Sequence, residues 1–256
     1  MFIPRVIPVL LLKDKGLVKT IKFDKKRAKY IGDPINAVRI FNDLEADELI
    51  FLDINATKEH RTISKELVKN IGDEAFMPFA VGGGIRTLDD IKQLLAAGAE
   101  KVVINTMAIE DREFINKASA IFGNQSIIIS IDLVKKRNEY LIYTIGGTKK
   151  AKISLPDYLG QIQQAGAGEI FINSIDRDGA MSGYDLEMIR FITSKVSVPV
   201  IACGGAGNLV HLKEAIDAGG ASACAAGSMF VYHGSRNAVL INYPEKKELE
   251  KIFNQE

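Results

Sequence analysis

One offset organises this chain. The run Pro78-Phe79-Ala80-Val81-Gly82-Gly83-Gly84 recurs in character as Pro199-Val200-Ile201-Ala202-Cys203-Gly204-Gly205, 121 positions later. The same offset carries Glu48 onto Glu169, Gly98 onto Gly219, and Ile54-Asn55 onto Ile175-Asp176. Matches that share one offset and fall on strands, turns and helix ends describe two copies of a structural unit, not a chance likeness between glycine turns.

Each copy holds four short apolar runs, and an amphipathic segment follows each run. The eight runs are residues 5–12, 48–53, 77–81, 101–104, 126–132, 169–173, 198–203 and 221–225. They are nearly continuously apolar, as parallel strands buried on both faces must be. Asp33-Pro34 supplies an N-cap with proline in the first helical turn. Thr87 with Asp90 predicts a capping box, and Gly98 and Gly219 stand where helices should stop. Eight β-then-α units in 256 residues predict an α/β fold, a single (β/α)₈ barrel with half-barrels at about 1–121 and 122–245. Gly146-Gly147, between two β-like stretches in residues 137–150, predicts a small hairpin inserted after the fifth strand.

Composition narrows the function classes. A net charge of +1 gives no global attraction to nucleic acid or to a membrane surface. The longest apolar runs, such as residues 7–12, fall far below the ~20 residues that span a bilayer. The N-terminus lacks a signal-peptide pattern, so a cytoplasmic protein is expected. Cys203 and Cys224 lie in apolar strand-like runs and read as packing residues. No metal site and no cofactor is expected.

Barrel chemistry sits at the C-terminal ends of the strands. There, Gly82-Gly83-Gly84 and Gly204-Gly205 each lie between a strand and a helix, where backbone N–H groups can approach an anion. Asn105-Thr106 and Ala226-Gly227-Ser228 are the paired second contributions. The duplication predicts a ligand with two phosphates, or phosphate-like anions, far apart; the alternative is that the glycines only make tight turns. Asp53, Asp132, Asp176 and Asp178 also end strands. A partly buried carboxylate there can act as general acid or base. Asp53 and Asp176 equally suit loop caps, whereas Asp132 and Asp178 are the better candidates for chemistry. The offset sets Leu11 in the place that Asp132 holds in the other half. At the opposite barrel end, Arg5, Glu48, Lys101 and Glu169 start inward-pointing strands, and two acids with two bases predict a ring that is either a salt-bridge plug or a gate.

Taken together, Arg5-Val6-Ile7, Leu52-Asp53-Ile54, Val81-Gly82-Gly83-Gly84-Ile85, Ile104-Asn105-Thr106 and above all Ser174-Ile175-Asp176-Arg177-Asp178-Gly179 with Ser182-Gly183-Tyr184-Asp185 resemble the cyclase subunit of imidazole glycerol phosphate synthase. The resemblance implies a barrel paired with a class I glutaminase at its N-terminal face. Ammonia enters there, crosses the barrel, and reacts at the mouth with a bis-phosphate ribulosyl substrate. It gives imidazole glycerol phosphate and an aminoimidazole carboxamide ribotide. The resemblance implies a gate of Arg5, Glu48, Lys101 and Glu169. It implies phosphate contacts at Gly83, Gly84, Asn105 and Thr106 on one side, and at Asp178, Gly179, Gly204, Gly205, Ala226, Gly227 and Ser228 on the other. It implies a flexible-loop lysine at Lys19. It also implies two facing catalytic aspartates, of which one is Asp132 and the other falls on Leu11. Leu11, the shifted turn Ala225-Ala226-Gly227-Ser228 and the apolar tail 238–244 are departures. They resemble a paralogous branch of surface-polysaccharide and nonulosonic-sugar clusters. In that branch the subunit works with a glutaminase and a third, ATP-dependent amidotransferase to turn an acetamido sugar into an acetamidino sugar. Three functions compete on these residues: an active cyclase, an ammonia conduit with impaired cyclase chemistry, and a related sugar-phosphate isomerase. The isomerase also wants an acid at the end of strand one.

Overall fold

The computed structural model describes residues 3–234 and 236–254. Eight parallel strands pair in chain order. They are β1 (Arg5–Lys13), β2 (Leu49–Asp53), β3 (Phe79–Gly82), β4 (Lys101–Ile104), β5 (Ile127–Lys136), β6 (Glu169–Ser174), β7 (Val200–Cys203) and β8 (Ala223–Ala226). β8 returns to β1 through Arg5↔Ala223 to Pro8↔Ala226, so the sheet closes and leaves no barrel edge. Around it run α1 (Pro34–Asp43), α2 (Lys65–Glu74), α3 (Leu88–Ala96), α4 (Thr106–Glu110), α5 (Arg112–Phe122), α6 (Leu155–Gln164), α7 (Leu186–Thr193), α8 (Leu209–Asp217), α9 (Ser228–Val231) and α10 (Lys246–Asn254). This is the expected TIM barrel.

Local signals set several helix starts. Asp33 Oδ1 accepts from the Asn36 N–H at 2.9 Å, with Pro34 in the first turn. Thr87 and Asp90 form the reciprocal capping box. Strand residues then divide between two apolar layers. One faces the helices, with Leu10, Leu49, Phe51 and Ile129 fully buried. The other fills the barrel: Ile7, Ile50, Ile128, Phe171 and Ile201, beside the small Ala80, Ala223 and Ala225.

The repeat is real in register, with one shift. Leu11 pairs with Leu52 as Asp132 pairs with Asn173, which preserves the 121 offset. α3 and α8 also keep it. Beyond α8 one extra residue enters. The left-handed helix stop is Gly98 (φ 112°) in the first half but Gly220 (φ 75°) in the second, and Gly219 is not left-handed. Ala80↔Lys101 therefore corresponds to Ile201↔Ala223, and Asn105-Thr106 corresponds to Gly227-Ser228 rather than to Ala226-Gly227.

The predicted hairpin after β5 exists and begins within β5 itself, which pairs with Glu139–Thr144 before a third strand, Lys149–Lys150. A second hairpin escaped the sequence reading. β1 continues past the barrel and pairs with Gly16–Lys19, which pairs in turn with Lys29–Gly32. Residues 13–16, Lys-Asp-Lys-Gly, look like a plain polar loop, but Asp14 (φ 56°) turns the chain back on itself.

Candidate active site at the barrel mouth

The two hairpins bring side chains over the C-terminal end of the barrel. Phe23, in a turn with left-handed Lys22 and Phe23 (φ 52° and 59°), reaches Gly147 at the tip of the β5 hairpin. Lys25 hydrogen-bonds the Ile54 carbonyl and touches Gly146. Beneath them lies a cavity of about 140 Å³, lined by Leu11, Lys19, Thr20, Asp132, Asn173 and Asp178 among others.

Asp132 is buried, and Asn105 Nδ2 donates to its Oδ2 at 3.2 Å and to the Ser130 carbonyl at 3.2 Å. Burial, then the neighbouring Asp178 charge, push the Asp132 carboxyl up to about 7, against the pull of Lys25. Burial lifts Asp178 to about 6, against the Lys19 charge and the Phe23 N–H. Burial lowers Lys19 to about 8, against the same Asp178 charge. These groups can exchange protons near neutral pH, which is the condition for general acid–base work. The sign for stability follows. A carboxyl with a raised native pKa binds its proton better folded than unfolded, so its contribution is full below the unfolded pKa and is lost as pH rises. Wild-type stability relative to Asp132→Asn should therefore fall between about pH 4 and pH 7, by up to ~1.4 kcal/mol per pH unit. Denaturant melts across that range check it; a flat difference would mean that Asp132 titrates normally.

Lys19 lies on a strand, not on the expected loop. It is buried, its Nζ donates to the Val9 carbonyl at 2.7 Å, and a Cβ on Gly227 would come within 1.9 Å of it. The β8 turn expected to cradle phosphate thus receives the Lys19 ammonium. Thr106 differs too: its hydroxyl accepts the Ile145 N–H at 3.2 Å and so ties down the β5 hairpin tip. Asn105 spends its amide on Asp132 and Ser130, as above. The glycines are needed for close approach. A Cβ on Gly84 would lie 1.8 Å from the Arg61 carbonyl, on Gly83 2.7 Å from the Asp53 carbonyl, and on Gly205 2.2 Å from the Gly183 carbonyl. On Gly204 it would lie 2.6 Å from Asn173 Oδ1, and on Gly179 2.5 Å from the Thr20 carbonyl. Ala226 is buried at the end of β8, and Ser228 opens the short α9.

Asp53 and Asp176 are loop ties. Asp53 accepts from the Asn55 and Ala56 N–H groups at 3.0 Å and pairs with Arg61, while Asp176 accepts the Lys135 N–H at 2.8 Å. Leu11 lines the cavity at the position that the repeat pairs with Asp132. Sequence reasoning missed Thr20, Lys25 and Asn173; the offset from Leu52 to Asn173 could have flagged the last, since it puts a polar group where the first half has a leucine.

At the other end, the four predicted charges close a ring. Arg5 reaches Glu48 at 2.5 Å and Glu169 at 3.1 Å, and Lys101 reaches both glutamates at 3.0 Å. Acids and bases alternate around it.

A barrel with this ring and this mouth matches the family model described as histidine biosynthesis protein, over residues 5–236. The chain belongs to that family. Within it, the chain is 48% identical over 247 residues to a protein of Pseudomonas aeruginosa provisionally named imidazole glycerol phosphate synthase subunit hisF2, covering 96% of this chain and 98% of that one. A provisionally named HisF subunit of Leptospira interrogans is 46% identical, with 98% of each chain covered. A provisional hisF3 subunit of Vibrio vulnificus is 43% identical, covering 97% and 96%. The chain is thus a HisF-like member of the imidazole glycerol phosphate synthase subunits. None of its helices, among the described residues, is long and apolar enough to cross a membrane.

Proposed function

We propose that this chain is the ammonia-receiving subunit of a glutamine amidotransferase complex, and that its own ring-closing chemistry is impaired. The observation that carries this reading is Leu11, a side chain that can neither move a proton nor accept a hydrogen bond, at the symmetry mate of Asp132. A class I glutaminase docks at the N-terminal face, over the Arg5–Glu48–Lys101–Glu169 ring. Ammonia crosses the apolar barrel interior as the neutral molecule, because burying ammonium among Ile, Val and Ala side chains is heavily disfavoured. Gly83, Gly84 and the second-half turns hold an anionic, phosphorylated ligand at the rim. The favoured acceptor is an acetamido sugar of a surface-polysaccharide pathway, made acetamidino with a third, ATP-dependent amidotransferase. That choice rests on Leu11, the shifted strand-eight turn and the apolar tail 238–244. The work is cytoplasmic.

A second reading, an active histidine-pathway cyclase, draws on the mouth's acids. Asp178 faces the same cavity as Asp132, whereas Asp14 sits exposed in the β1 turn and does not.

The docking half of the proposal is tested with a purified class I glutaminase from the same source. Glutamine hydrolysis should rise on adding this chain, and a bulky substitution at the ring, Lys101→Trp, should weaken the association. Association that survives Lys101→Trp but fails with variants at the mouth would sink it.

A further inference from the structure

Three oxygen atoms at the mouth are buried without a hydrogen-bond partner among the described residues: Asn173 Oδ1, Thr20 Oγ1 and Asp178 Oδ2. All three residues line the cavity. The Thr20 hydroxyl lies close enough to Asp178 to lower its pKa, yet the pair lacks hydrogen-bonding geometry. Asn173 is 6% exposed and Thr20 3%. A buried amide oxygen left unpaired is disfavoured, and such groups in native proteins are usually completed by a ligand or water.

The position of Asn173 points to what completes it. On the barrel wall Asp132, Asn173 and Cys203 are register neighbours across β5, β6 and β7, and they form one inward layer. Two residues lower on the same strands stand Ser130, Phe171 and Ile201, and Ile128 lies deeper on β5. The Asn173 amide is therefore the first side-chain group on β6 above the apolar interior that can accept a hydrogen bond. Gly204 keeps it there, since any side chain at that position would collide with the amide oxygen.

We propose that Asn173 Oδ1, with Thr20 Oγ1 and Asp178 Oδ2, forms a receiving subsite for ammonia where the barrel interior opens into the mouth. Ammonia has three N–H donors and one lone pair, and the three oxygens match its donors. Held by its hydrogens, the molecule keeps its lone pair for an electrophile in the cavity. No bond is made or broken in this step. The proposal rests on the conduit reading and adds the place where the nitrogen stops.

The test uses the intact chain with its Asn side-chain amides labelled for NMR. Ammonium chloride is titrated at alkaline pH, against tetramethylammonium chloride at equal ionic strength. The Asn173 side-chain resonance should move saturably with ammonium and stay still with tetramethylammonium, which has no N–H to donate. Thr20→Val, which removes one partner, should weaken the apparent affinity roughly 2- to 12-fold, the range of one net hydrogen bond. An Asn173 resonance indifferent to ammonium, or a response equal for both salts, would overturn the subsite. The glutaminase association assay reads the conduit separately, so either idea can fail alone.

Discussion

Leu11→Asp should raise the rate of ring closure by roughly 10²–10⁴-fold, the usual contribution of one positioned acid or base. The geometry is already in place. Leu11 pairs with Leu52 on β2 as Asp132 pairs with Asn173 on β6, and both side chains line the same cavity. A carboxylate at position 11 would enter the cavity that Lys19 and Lys25 also line, where it meets positive charge as well as a burial penalty. The half-buried leucine it replaces contributes to packing, and a loss of about 1–3 kcal/mol in stability is expected from placing a polar group there. Single-turnover assays with the bis-phosphate ribulosyl substrate and an ammonium salt would measure the gain, with substrate binding followed in parallel. If the wild type closes the ring measurably and as fast as the variant, the impaired-cyclase reading falls, and loss of that activity in Asp178→Asn would mark Asp178 as the second acid.

Glu48→Ala should cost about 3–5 kcal/mol of stability, the range for removing one partner from a buried ion pair. Glu48 is the most enclosed member of the basal ring, with its side chain 2% exposed, and it holds Arg5 and Lys101 at once. Without it both cations depend on Glu169, which cannot neutralise two charges. For a domain of this length that loss corresponds to a fall in Tm of roughly 6–20 °C. Glu169→Ala should cost less, because Glu169 is 14% exposed and water can replace part of what it supplies. Equal melting of the two variants would mean that burial does not rank the ring. Since ammonia must pass this ring in the proposed function, Glu48→Ala also makes the basal end leaky, a second effect separable from stability by assaying at low temperature.

Much of this was legible from short patterns. Asp33-Pro34 and Thr87 with Asp90 name helix starts because their partners lie three residues away. The strands are legible because burial on both faces leaves little choice but apolar residues. The pairing of Leu11 with Asp132 across the repeat is also a sequence fact, and the strand registers agree with it. The β1 hairpin was hidden because a polar run reads as a loop whether or not it pairs. The extra residue beside Gly219 was hidden because two adjacent glycines give either one the role of helix stop; the backbone gives it to Gly220.

The chain's order of apolar runs, its repeat and its end charges are enough to predict a closed eight-stranded barrel with two acids and two bases at its lower end and Leu11 as the repeat mate of Asp132 at its mouth. They cannot say what each mouth side chain touches. Lys19 against Gly227, Thr106 on Ile145 and the Asn173 Oδ1 left without a partner among the described residues depend on groups brought together from distant parts of the chain. Strand and cap preferences act over a few residues and leave their mark in sequence. Which polar groups meet is fixed only when the barrel closes and burial makes every unpaired donor and acceptor unfavourable.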